Sequence, residues 1–108
     1  MNPMSLSALI NITEMPILVK FGASWCAPCR AMSTVLEDLA EDWEGDIEVW
    51  ELDVDEDPET SVQWSVRSIP TLILIDTDGE ELERLTGAQP KAAIEAMLYR
   101  FFEDEEGQ

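Results

Sequence analysis

The sequence predicts one α/β domain whose mixed, buried sheet is flanked by helices. Three observations carry that expectation. "PILVKFGA" (16–23) and "IPTLILID" (69–76) are near-continuous apolar runs, the pattern of strands covered on both faces. From Cys26 the period becomes helical, with Cys29, Met32, Leu36, Leu39 and Trp43 in one stripe between acids. The segments alternate as α-β-α-β-α-β-β-α, and 108 residues suit a single core of ordinary size.

In order along the chain, "SLSALINITE" reads as a short amphipathic helix beginning near Ser5, with Leu6, Leu9, Ile10 and Ile12 as its apolar positions. The first strand follows, and it holds a lysine, Lys20, among apolar neighbours. The helix after Cys26 places Cys29 on the core side, with the Cys26 thiol and its N–H neighbours facing outward. "DIEVWELDV" (46–54) is the second strand, and Asp57-Pro58 is an N-cap with proline at the first helical position, opening a helix through about Val66. The buried strands are expected to be parallel and joined by helices. Asp78-Gly79 is a hairpin turn into "EELERLTG" (80–87), an alternating strand with one wet face. Pro90 starts a last helix with Ile94, Met97, Leu98 and Phe101 inward, and "EDEEGQ" (103–108) is expected to fray as a flexible acidic tail. No repeat or linker divides residues 1–108, so the whole chain is one domain.

Charge narrows the function classes. Twenty-four acidic residues against 6 basic ones leave a net charge of −18, a field that opposes nucleic acid and anionic lipid. Such a surface suits high salt or an acidic lineage, with steering towards basic patches on partners as a secondary use. No apolar run reaches the roughly 18–20 residues that span a bilayer. The N-terminal stretch lacks the basic start of a secretory signal and carries Glu14, so a cytoplasmic monomer with reduced thiols is expected.

Chemistry concentrates in "SWCAPCR" (24–30), which holds both cysteines of the chain. A structural zinc site wants four ligands, whereas this chain offers two cysteines and no histidine. A cluster shared between two chains would need four thiolates from the pair. The alternating acids Asp53, Asp55 and Asp57 resemble the start of a calcium loop, but Pro58 stands where the turn needs glycine and Trp64 where it needs glutamate. They read instead as a strand end and a helix cap, so no metal is expected. A staple closing two intervening residues removes little unfolded-state entropy. Reversible redox chemistry fits best. A helix N-terminus favours the Cys26 thiolate, and Cys29, one turn on, is placed to resolve a mixed disulfide.

"FGASWCAPCR" resembles the active site of the thioredoxin family, usually tryptophan-Cys-Gly-Pro-Cys. "LDVDEDPE" (52–59) resembles that family's third strand and turn, "RSIPTLILI" (67–75) its cis-proline segment, and "DGEELERLTGA" (78–88) its terminal hairpin and glycine. The likeness spans roughly residues 15–102. It implies the thioredoxin fold, here with four strands, or five if the N-terminal segment supplies one, and about four helices. It also implies NADPH-linked dithiol–disulfide exchange with no cofactor beyond the Cys26–Cys29 disulfide, a thioredoxin reductase as electron donor, and disulfide-containing client proteins.

By the same resemblance Cys26 is the nucleophile and Cys29 the resolving thiol. Trp25 shields the site, and Ala27 and Pro28 shape the turn. Pro70 matches the cis-proline, Ile69 would pair its backbone with an extended substrate, and Thr86, Gly87 and Ala88 complete the docking surface. Ile69 and Thr86 are equally readable as core or strand residues. Departures are informative. Ala27 replaces glycine, and Thr34 replaces the proline that kinks the family's active-site helix. Where the family buries an aspartate stands Lys20, and where that aspartate's lysine partner stands is Glu51. An inverted ion pair is expected, because a buried lysine needs a carboxylate within reach. Either Glu51 takes the proton from the buried thiol, or charged Lys20 stabilises the Cys29 thiolate directly. The bland alternative has Lys20 snorkelling to water and Glu51 simply exposed.

The leading function is therefore protein-disulfide reduction. A thiol oxidase or isomerase would use the same residues in an oxidising compartment, distinguishable by its reduction potential. A thioredoxin-fold binding or assembly subunit would keep full activity without its cysteines.

Overall fold

The computed structural model describes residues 5–106. Its elements are α1 (Leu6–Ile12), β1 (Ile17–Gly22), α2 (Ala27–Asp42), β2 (Glu48–Asp53), α3 (Pro58–Gln63), β3 (Thr71–Ile75), β4 (Glu81–Thr86) and α4 (Lys91–Glu106). The strands form one sheet in the order β2-β1-β3-β4. It is mixed: β1 pairs parallel with β2, whereas β1–β3 and β3–β4 are antiparallel. The expectation of parallel buried strands is thus corrected for β3. An apolar run covered on both faces looks alike in either direction, so its sequence does not report its sense.

The side-chain alternation of β1 sorts the core into two layers. Leu18 joins Leu72 and Leu74 beneath α2 and α4, against Met32, Leu36, Leu39, Ile94, Met97 and Leu98. Ile17, Val19 and Phe21 face the other way, packing with Leu52, Ile73, Ile75 and the α1 residues Leu6 and Leu9. Burial of each such side chain contributes on the order of 1.5–3 kcal/mol. At the far end of α2, Trp43 stacks on Phe102 with ring centroids 5.5 Å apart, fastening α2 to α4.

Local chemistry sets most boundaries as anticipated. Ser5 caps α1, its hydroxyl accepting from the Ala8 N–H at 3.1 Å. Asp57 caps α3 in the same way through the Thr60 N–H, with Pro58 in the first turn. However, α3 stops at Gln63 rather than near Val66. The Val66 N–H bonds the Ser61 carbonyl and the Ser65 N–H the Val62 carbonyl, a Schellman closure with Ser65 at φ +55° where glycine is usual. Without glycine the sequence carried no stop signal there.

Two further differences concern the C-terminal part. The β3–β4 register slips by one residue, pairing Leu74 with Glu83 but Ile75 with Glu81, so Leu82 is an inserted residue left 41% exposed. The expected alternation of that strand is broken at this bulge. Helix α4 runs through Glu106, so 103–106 are helical backbone rather than the frayed tail expected, and the last part of that stretch lies outside the described residues. Among the described residues β2 and β4 form the two edges of the sheet.

Candidate active site

The turn after β1 and the first turn of α2 build the site. Cys26 is the N-cap of α2, and its sulfur accepts from the Cys29 N–H at 3.3 Å. The two cysteines form a disulfide with Cα atoms 5.3 Å apart. Cys29 is 1% exposed, as its place in the stripe requires, but Cys26 is only 7% exposed rather than facing outward. Both pack in a small apolar cluster with Ala23, Val54 and Ile69.

Around the pair lie the other anticipated residues. Trp25 is on the rim, 68% exposed, with its indole N–H donating to Asp55 Oδ2 at 2.7 Å. Ala27 and Pro28 are exposed on the first turn of α2. The Ile69–Pro70 bond is cis, and Pro70 is buried while Ile69 is half-buried beside the cysteines. Gly87 has φ +87° and donates its N–H to the Pro70 carbonyl at 2.8 Å, so the glycine and the cis-proline belong to one unit. Thr86 pairs across the ladder with Thr71, and Thr86 and Ala88 are exposed.

Beneath Cys29, Lys20 and Glu51 face each other across the parallel ladder and form an ion pair with Nζ 2.5 Å from Oε1. Lys20 does not reach open water along the strand; its residue is 5% exposed. The ammonium also donates to the Cys29 carbonyl at 2.8 Å and to Ser33 Oγ at 2.9 Å, and the Ser33 hydroxyl donates to Glu51 at 2.6 Å. Three acceptors for three ammonium donors make burial of the charge tolerable. Partial burial pushes the Glu51 carboxyl up, but hydrogen bonds from Lys20 and Ser33 and the lysine charge outweigh it and hold the group below its ordinary 4.5. A cleft of about 750 Å³ is lined by Lys20, Gly22, Cys29, Ser33 and Glu51 among others.

Two residues of this site went unread in the sequence. Ser33 bridges lysine and carboxylate, and its only signal was its place one helical turn after Cys29. Gly22 leaves room for Cys29: a Cβ there would stand 3.1 Å from Cys29 Sγ and 3.4 Å from Lys20 Cε. The acids after β2 behave as local caps. Asp53 Oδ1 accepts from the Asp55 N–H, and Asp57 caps α3. Among the described residues no group of three or more His, Cys, Asp or Glu is disposed to hold a metal ion.

A cysteine pair at a helix N-terminus thus stands beside a cis-proline joined to a glycine hairpin, and the thioredoxin family model matches residues 2–100 of the chain. The chain belongs to the thioredoxin family. Thioredoxin of Alicyclobacillus acidocaldarius subsp. acidocaldarius is 48% identical over 85 residues, covering 79% of this chain and 80% of its own. Thioredoxin of Staphylococcus haemolyticus is 44% identical over 88 residues, covering 82% and 84%. That of Synechocystis is 37% identical over 89 residues, covering 82% of each chain. Family and cysteine geometry together make the protein a thiol–disulfide oxidoreductase that reduces protein disulfides. Thioredoxins carry their electrons on the cysteine pair, and a reductase and disulfide-bearing clients are the partners the family implies.

Proposed function

We propose that the protein is a cytoplasmic, monomeric electron carrier in which Cys26 attacks and Cys29 resolves, with a thioredoxin reductase returning it to the dithiol form. The Cys26 thiolate attacks one sulfur of a client disulfide; the client S–S bond breaks, a mixed disulfide forms, and the departing client thiolate takes up a proton. Cys29, losing its proton, then attacks the Cys26 sulfur. This forms the Cys26–Cys29 bond and releases the second client sulfur, so two electrons have passed to the client. Client backbone lies along Ile69, with Trp25, Ala27, Pro28, Pro70, Thr86, Gly87 and Ala88 as the remaining contact surface. Reducing work of this kind belongs in a compartment that keeps thiols reduced, hence the cytoplasm.

The observation that carries the order of attack is the position of Cys26 as N-cap, where unsatisfied N–H groups and the macrodipole favour a thiolate. Of the two readings of the buried pair, the lysine charge is favoured. A glutamate held below its ordinary proton affinity is a poor base for a thiol. Lys20, by contrast, donates from its ammonium to the Cys29 carbonyl at 2.8 Å, and its Cε and Cys29 Sγ both lie close to Gly22.

The test is trapping. With a disulfide client, Cys29→Ser should accumulate a mixed disulfide through Cys26, and Cys26→Ser should accumulate none. Equal trapping by both variants would refute the assigned order.

A further inference from the structure

The loop from α3 to β3, residues 64–70, ends in Ile69 and Pro70, the segment to which the proposed function assigns the client. Its far end is held at the Pro70 carbonyl by Gly87 of the hairpin. Its entrance is held by a residue to which the family resemblance assigns no role. Arg84, on β4, donates through Nη2 to the Trp64 carbonyl at 2.6 Å and through Nη1 to the Ser65 carbonyl at 3.1 Å. These are the first two residues after α3, and Ser65 is the one residue other than glycine with positive φ among the described residues.

The guanidinium is aimed by Glu81, which accepts from Nε at 2.9 Å and from Nη2 at 2.7 Å in a fork. An isolated surface ion pair would contribute little. Here the arginine side chain is 27% exposed and its remaining donors tie the edge strand to a loop about twenty residues earlier. The carbonyls at the end of α3 have no partner within the helix, and a planar cation satisfies two of them at once. From β4 and the residue that follows it, therefore, Arg84 fixes where the loop begins and Gly87 where it ends.

The geometry points to Arg84 as a positioning residue for client docking: with Glu81 it pins the entrance of the 64–70 loop, so that Ile69 meets an extended client segment in a set orientation. This rests on the docking role proposed for Ile69. Loss of two hydrogen bonds to a charged donor loosens that orientation for a client that must lie along the loop. A small disulfide that touches only the sulfurs does not depend on it.

The test compares kcat/KM for insulin with kcat/KM for a dipyridyl disulfide in wild type, Arg84→Met, Glu81→Gln and Ile69→Glu. In Arg84→Met the insulin-to-dipyridyl ratio should fall about tenfold, the size expected of such bonds. Glu81→Gln, which keeps the guanidinium but not its charged fork, should lower the ratio less, and it carries the test alone if Arg84→Met does not fold. A merely structural role for Arg84 would lower both rates together and leave the ratio unchanged. An unchanged ratio in Arg84→Met or, where that variant is unfolded, in Glu81→Gln, with a lowered ratio in Ile69→Glu, would overturn the role of Arg84 and leave the docking reading intact. An unchanged ratio in Ile69→Glu would overturn the docking reading, and the inference with it.

Discussion

Lys20 and Glu51 stand opposite each other on the parallel β1–β2 ladder, and their charges meet directly beneath the carbonyl of Cys29. The two ends of the pair differ in setting. The lysine side chain is 6% exposed and the glutamate side chain 42%, so one charge depends on its partners while the other remains half in water.

The pair is expected to be coupled in both stability and rate. Glu51→Met leaves a buried ammonium with only Ser33 and a carbonyl. After discounting for the exposed carboxylate, it should cost roughly 1–2 kcal/mol. Lys20→Met should cost less, and the double variant should be milder than the sum of the singles by about 1 kcal/mol. Urea unfolding and insulin-reduction rates on the three variants measure this; strictly additive losses reject the coupling.

A pH signature follows from the lowered Glu51 carboxyl. A depressed folded value stabilises the protein above the ordinary 4.5, and that contribution disappears as pH falls through the depressed value. Protonation of other acids relieves self-repulsion over the same range, so the informative quantity is the difference from Glu51→Gln. Wild type should be the more stable at neutral pH, with the gap closing below about pH 4.5. A gap that stays constant down to pH 3 would exclude this contribution.

Gly22 is expected to resist even a methyl group. Alanine there would press on both Cβ and Sγ of Cys29 at 3.1 Å, so the Cys29 side chain must give by a few tenths of an ångström. Gly22→Ala should destabilise the oxidised protein by about 1–3 kcal/mol. It should also slow resolution of the mixed disulfide. Thermal unfolding and trapping kinetics read the two effects, and wild-type values in both would show that the contact is easily relaxed.

Ser65 offers the opposite case. At φ +55° a serine strains a turn that glycine enters freely. Ser65→Gly should stabilise by up to about 1 kcal/mol, because the Arg84 bonds are made to backbone carbonyls and survive the change. A stability loss in urea unfolding would contradict that account.

Much of this was legible in residue order, and the reasons for the rest are local. Caps at Ser5 and Asp57, the Cys26 helix start and the apolar stripes specify their elements through chemistry within a few residues. The Lys20–Glu51 pair was legible because a charge inside an apolar run demands a partner, and the family resemblance pointed to position 51 for it. The sense of β3 was not, since two-sided burial erases it. Nor was the end of α3, where a serine does what glycine usually does. Ser33 and Arg84 escaped for one shared reason: each matters through partners distant in sequence, and neither pattern nor spacing reveals a hydroxyl bridge or a guanidinium reaching a loop carbonyl.

The outermost strand β2 carries Glu48, Glu51 and Asp53 among its six residues. A second copy that tried to extend the sheet there would lay like charges against Glu48 and Asp53, a guard by repulsion that opposes growth at this edge. That guard is ionic and therefore conditional. Brine in which charges are felt over only about 3 Å would lower it, leaving the short length of the strand to do the refusing.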